Sequence, residues 1–189
     1  MTRKLFALAL LVGVAPTARS QDMPLSQILI DGEGWVKVGR DPEERPRPPR
    51  PAMPTGFDLP PGIGPILVSR DRQTVYVVKG KANAITAYPH RLDTKPADFQ
   101  RLGAPYCPLR TKPGEAGIAV TGLTTDHAGR IYAATEIGVQ VFDPTGRLCG
   151  VLTPAAPGTP SHLSFEGNEL VMWIGDAKYS RKLNATGVK

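Results

Sequence analysis

Cysteine is nearly absent from this chain: Cys107 and Cys149 are the only two in 189 residues. No paired Cys/His spacing accompanies them, which excludes a structural zinc site of the usual kind. Histidine is scarce as well, with His90, His127 and His162 standing far apart in the sequence. There is no Gly-x-Ser-x-Gly elbow, no His-Glu-x-x-His and no phosphate-cradling glycine loop, so the commonest hydrolase and nucleotide-binding signatures are missing. Aromatic residues make up only 6% and do not interleave with a basic stripe, so nucleic-acid binding has no support. No apolar run approaches the roughly 20 residues of a membrane span, and no transmembrane anchor is expected. Helical periodicity is missing from the central stretch, residues 120–150.

What that stretch does contain is strands and turns. Leu123, Thr124 and Thr125 lead into Asp126-His127-Ala128-Gly129, followed by Arg130, Ile131, Tyr132 and two alanines. Val139, Gln140, Val141 and Phe142 then run into Asp143-Pro144-Thr145-Gly146. β-Branched and aromatic residues bounded by Asp/Gly and Pro/Gly clusters predict short antiparallel strands joined by hairpins. The same order of strand, turn and strand recurs around Asp71 and around Gly167. Leu123 to Leu163 is forty residues, while Asp71 to Asp126 is fifty-five, because a longer connection at 90–117 intervenes. A period near ~40 residues with four strands each is the spacing of propeller blades.

The string GLTTDHAGRIYAATEIGVQVFDPTGRLCGVL resembles the senescence-marker-protein/gluconolactonase/luciferin-regenerating-enzyme family of six-bladed β-propellers. The resemblance runs from about Pro61 to the C-terminus, where AKYSRKLNATGV looks like a closing strand. PLSQILIDGEGWVKVG, at 24–39, looks like the family's opening strand. The expected fold is therefore all-β: a partial β-propeller of about three four-stranded blades. Residues 62–186 number 125 (186 − 62 + 1), enough for about three blades at ~40 each. Such an arc leaves open faces and edges. Pairing of two half-rings, completion of the ring by another chain, and a shortened relic all remain open on the sequence. The edges expected to be adhesive flank Gly62 and Tyr179. Trp35 and Trp173 read as core or blade-face residues.

The segments ahead of the blades read differently. Residues 1–20 carry the pattern of an export signal: Arg3 and Lys4, an uncharged and largely apolar run of eleven at 5–15, and small residues before Gln21. Export implies a periplasmic or secreted protein. It also lowers the formal charge from +6 to +3, since the signal holds three basic residues and no acidic ones. Residues 21–40 form the opening-strand segment. Residues 41–61 hold eight of the twenty prolines and read as an extended linker, with a proline-rich ligand for another domain as the alternative. Residues 62–189 are the blade region. In an exported protein a disulfide between Cys107 and Cys149 is open to consideration, but two unpaired thiols are the expectation, with Cys107 in the long connection. The Asn184-Ala185-Thr186 triplet fits a glycosylation acceptor of the eukaryotic secretory pathway.

The resemblance also implies a site. Its members hold a divalent cation at the channel mouth with a Glu, an Asn and an Asp, and the cation promotes opening of a lactone ring. The matching position for the Asn is Gly64, followed by Pro65, and that for the Asp is Thr121, followed by Gly122. The Glu has no counterpart, and Glu33 stands in the wrong context to replace it. The cation ligands are thus not found, and no metal cofactor is expected. Thr121 and His162 remain as channel-mouth candidates, with His162 expected to open an innermost strand. Three functions follow: a lactonase-like scaffold that does not catalyse by itself, a lactone hydrolase using other residues or another chain, and a propeller module binding a sugar, lactone or protein.

Overall fold

The computed structural model describes residues 24–39, 63–89 and 101–188. The signal read at 1–20, the linker at 41–61, the edge at Gly62 and His90 all lie outside the described residues. The described chain begins with a single 3-10 turn, Leu25–Gln27, and β1, Val36–Gly39. There follow β2 (Ile63–Val68), β3 (Thr74–Lys79), β4 (Lys81–Ala82), β5 (Ala84–Pro89) and β6 (Ala104–Pro108). Then come β7 (Ile118–Thr125), β8 (Ile131–Thr135), β9 (Gly138–Phe142) and β10 (Leu148–Leu152). β11 (Pro160–Glu166), β12 (Glu169–Ile174) and β13 (Ala177–Lys182) complete the set. No described helix is long and apolar enough to cross a membrane.

These strands form three antiparallel sheets with spatial orders β2-β3-β5-β6, β4-β7-β8-β9-β10 and β11-β12-β13-β1. Each sheet is a four-stranded blade, and the middle one gains the two-residue β4, which pairs Lys81 with Ala119 and Ala82 with Ile118. The hairpins arise from a repeated turn. In Asp126-x-x-Gly129-Arg130 the Gly129 amide donates to the Asp126 carbonyl and the Arg130 amide to the Asp126 carboxylate, both at 3.0 Å. Asp143-x-x-Gly146-Arg147 repeats both bonds at 2.9 and 3.0 Å. Gly129 and Gly146 lie at φ +81° and +84°, a conformation glycine enters without a Cβ penalty.

Two apolar interfaces hold the blades together. Val78, Ile85, Cys107, Ile118, Ile131 and Phe142 lie between the first and second sheets. Tyr132, Val139, Val141, Leu163, Leu170 and Met172 lie between the second and third. Every residue of β8 and β9 is buried, because the middle sheet has a neighbour on each face. Gln140, in the middle of β9, is wholly buried too. Its amide receives the Arg110 N–H at 2.8 Å and donates to the Arg110 carbonyl at 2.9 Å. The side chain thus satisfies a connecting segment that has no strand beside it.

The structure corrects two expectations. Cys107 does not lie in a connection: it is part of β6, the fourth strand of the first blade, and this strand accounts for the long spacing between Asp71 and Asp126. Tyr179 does not lie on an open edge, because β1 pairs along β13 at Val36–Ser180 and Lys37–Tyr179. The N-terminal segment is anchored further by Ile28, 1% exposed, whose carbonyl receives the Asn184 amide at 2.8 Å. Trp35 Nε1 donates to the Thr153 carbonyl at 2.8 Å, and Arg181 Nη2 to the Glu33 carbonyl at 3.1 Å. Both cysteines are free. Cys107 packs between the first two sheets, and burial pushes its thiol up to about 12, whereas Cys149 packs against the other interface.

Candidate functional site

β2, β7 and β11 are the first strands of their four-stranded blades, β4 apart, and lie side by side, with β7 between the other two. Each carries a register shift near its start. The ladder is interrupted between Ile63 and Ile66, between Val120 and Gly122, and between Pro160 and His162. The residues freed from regular pairing are Gly64 and Pro65, Thr121, and Ser161. Bulges of this kind re-aim side chains and recur beside active sites. The backbones at these points are close. A Cβ on Gly64 would lie 3.8 Å from the Val120 carbonyl, and one on Gly122 would lie 3.0 Å from the Leu163 amide.

The fold places Gly64 and Thr121 at ladder interruptions on neighbouring inner strands, with Ser161 at the third. Ser161 was not singled out in the sequence. The signal for it is the repeat itself, since it precedes Leu163 by two residues just as Thr121 precedes Leu123. His162 sits beside this row on β11, two residues after Pro160 opens the strand. Leu163 and Phe165 face the second sheet, so alternation along β11 turns His162 to the opposite face, opposite Trp173 in the ladder. His162 is 6% exposed, and burial lowers its pKa, which keeps the imidazole neutral near pH 7. The Thr121 hydroxyl donates to the Ala134 carbonyl at 3.4 Å. Among the described residues no hydrogen bond joins the Thr121 hydroxyl to the His162 imidazole.

Chemically the row offers one residue without a side chain and two neutral hydroxyls. A hard divalent cation requires several oxygen ligands, with carboxylates to supply charge. These residues do not fit one. Among the described residues no group of three or more His, Cys, Asp or Glu is placed to hold a metal. The carboxylates of the inner hairpins, Asp71 and Asp126, sit beyond the far ends of β2 and β7. Glu33 lies beside β13, on the outer side of the third sheet. His127 is exposed in its turn, with its amide donating to the Thr186 carbonyl at 2.9 Å.

Three blade-like sheets whose first strands stand side by side define a β-propeller fold in partial form. Comparison with solved structures gives the same fold. The chain is similar to an X-ray structure of a protein assigned as a gluconolactonase, with TM-score 0.50 and 22% identity, covering 67% of this chain and 40% of that one. It is also similar to a Xanthomonas campestris gluconolactonase described as important in glucose secondary metabolic pathways: TM-score 0.49, 25% identity, 64% and 37% covered. A luciferin-regenerating enzyme gives TM-score 0.49 and 14% identity, with 67% and 47% covered. The chain therefore spans less than half the length of each of these structures. No protein-family model and no curated protein matches it. The propeller resemblance read from the sequence is thus matched at the level of fold.

Proposed function

We propose that this chain is an exported gluconolactonase-like propeller protein that does not act by itself as a metal-dependent lactone hydrolase. The observation carrying this reading is the row Gly64, Thr121 and Ser161 at the three inner-strand bulges, where a cation would need carboxylate oxygen. The expected result is no stoichiometric calcium or zinc binding in calorimetry at micromolar metal, and no metal-stimulated hydrolysis across a small panel of sugar lactones. Installing Gly64→Asn together with Thr121→Asp should raise metal affinity only slightly. The third ligand, the glutamate, would still be missing, and a Cβ at position 64 comes within 3.2 Å of the Val78 carbonyl oxygen. One tight site in the native protein, lost in Thr121→Ala, would overturn the proposal.

A second reading is a lactone hydrolase whose site another chain completes, or a second copy of this one. It is favoured by the share of the first solved structure that this chain spans, 40%. Lactone turnover that appears only in an assembly larger than one chain would select it. Export rests on residues 1–20 and assigns the protein to the periplasm or the medium. Intact-mass measurement of the exported protein should find a terminus within a few residues of Gln21. A retained Met1 on abundant exported protein would refute that part.

A further inference from the structure

We infer that the cleft between the turn ends of the first and second sheets binds a small aromatic carboxylate. This cleft is separate from the row at Gly64, Thr121 and Ser161, since it opens at the far ends of β2 and β7. Its volume of about 460 Å³ falls within the range of small-molecule sites. The apolar part of its lining comes from both blades: Leu67 and Tyr76 from the first, Ile131 and Pro144 from the second. The Tyr76 ring lies 5.6 Å from the Tyr106 ring, and Tyr106 in turn donates its hydroxyl to the Pro144 carbonyl. A half-buried aromatic wall of this kind favours a flat, apolar ligand body.

The rim determines the ligand's charge. Two carboxylates, an arginine and a histidine line it, and they differ in how far they are already engaged. Asp71 accepts from Ser69 Oγ at 2.6 Å and from the Gln73 amide at 3.0 Å. Asp126 accepts from the Arg130 amide at 3.0 Å, from Arg130 Nη1 at 2.9 Å and from the Tyr132 hydroxyl at 2.9 Å. Arg70 and His127 are exposed, and among the described residues no carboxylate pairs with either. Both bonds to Asp71 fall on Oδ1, so beside that carboxylate's other oxygen the rim offers donor capacity, led by a guanidinium that no carboxylate among the described residues holds. A planar fork of N–H groups matches a carboxylate in geometry as well as charge. An apolar floor under a guanidinium rim selects a ring bearing a carboxylate over a neutral ring and over a bare anion.

Titration of the full chain with benzoate, followed by NMR or calorimetry, tests this. The expected result is saturable one-to-one binding with a Kd on the order of 1 mM, as befits so small a ligand. Benzamide, which has the same shape without the charge, should bind about tenfold more weakly or worse. Arg70→Glu should weaken benzoate by at least about tenfold and leave Tm unchanged, because Arg70 is exposed and its side chain packs in no core. Acetate should bind more weakly than benzoate, because it leaves the floor uncovered. Failure to saturate with benzoate, equal affinity for benzamide, or native-like benzoate binding by Arg70→Glu would each overturn the inference. None of these outcomes bears on lactone hydrolysis or on the metal experiment, which concern the opposite ends of the same strands.

Discussion

Gly138→Ala is expected to destabilise the protein by more than about 4 kcal/mol, a large part of the ~5–15 kcal/mol that holds a typical domain folded. Gly138 opens β9 at φ +121°, and a Cβ there would sit 2.1 Å from the Leu152 carbonyl oxygen. The atom in the way is backbone, so no rotamer change relieves the clash. Leu152 pairs with Val139 in the β9–β10 ladder, and relief requires that ladder to open. The Gly138 carbonyl also receives the Thr135 hydroxyl at 2.7 Å, which closes the turn into the strand. Gly80→Ala is the control. Gly80 also has a positive φ, +53°, but nothing lies within 4 Å of the added Cβ, so its cost should be limited to ~1–2 kcal/mol of backbone strain. Denaturant melts of the two variants should differ widely. Equal midpoints would mean that the β9–β10 pairing is not as described.

Asp126→Ala should cost about 3–5 kcal/mol, the usual consequence of removing one partner from a buried ion pair. The side chains of Asp126 and Arg130 are 1% and 11% exposed, with Nη1 and Oδ2 2.9 Å apart. The same oxygen accepts the Tyr132 hydroxyl, and Tyr132 is fully buried. Burial, followed by the neighbouring Asp126 charge, raises the Tyr132 pKa, so the phenol remains protonated and donating. Alanine would strand the guanidinium, the phenol and the Arg130 amide together. Asp71→Ala removes an exposed carboxylate from the first sheet's turn, where Ser69 makes the bonds that Asp126 makes in its own, and should cost less than about 1 kcal/mol. A thermal or urea series with both variants separates the cases. Asp126→Ala within about 1 kcal/mol of the native protein would show that the turn's carboxylate is not a structural anchor.

The strand and turn pattern was legible because it is local. Asp126-x-x-Gly129 and Asp143-x-x-Gly146 encode their own geometry within a few residues, and the spacing of these units led to blades. The strand β6 was not legible. Its sequence, Ala-Pro-Tyr-Cys-Pro, has two prolines and no clear alternation, which argues against a strand in a sheet interior. It is tolerated because β6 is outermost in its blade and pairs only with β5. Gln140 was equally opaque. Between two valines it reads as the solvent side of an alternating strand, yet it is buried because the 110 region crosses over it.

The candidate site divides in the same manner. That Gly64 and Thr121 carry no carboxylate is a property of the sequence, and no folding changes it. That both fall at ladder interruptions on adjacent inner strands, with Ser161 completing the row, follows from the register of paired strands. The closing of the third sheet by Val36–Gly39 is likewise tertiary, joining the described chain's first strand to its last. The sequence by itself determined the strands around the Asp-led turns, their repeat, and the lack of carboxylates at Gly64 and Thr121. The tertiary structure alone decided which edges are covered, which polar residues are buried, and that the cleft at Arg70 and Tyr76 exists. Turn and strand preferences act across a few neighbouring residues, whereas edges, clefts and buried amides arise only where segments distant in the chain meet.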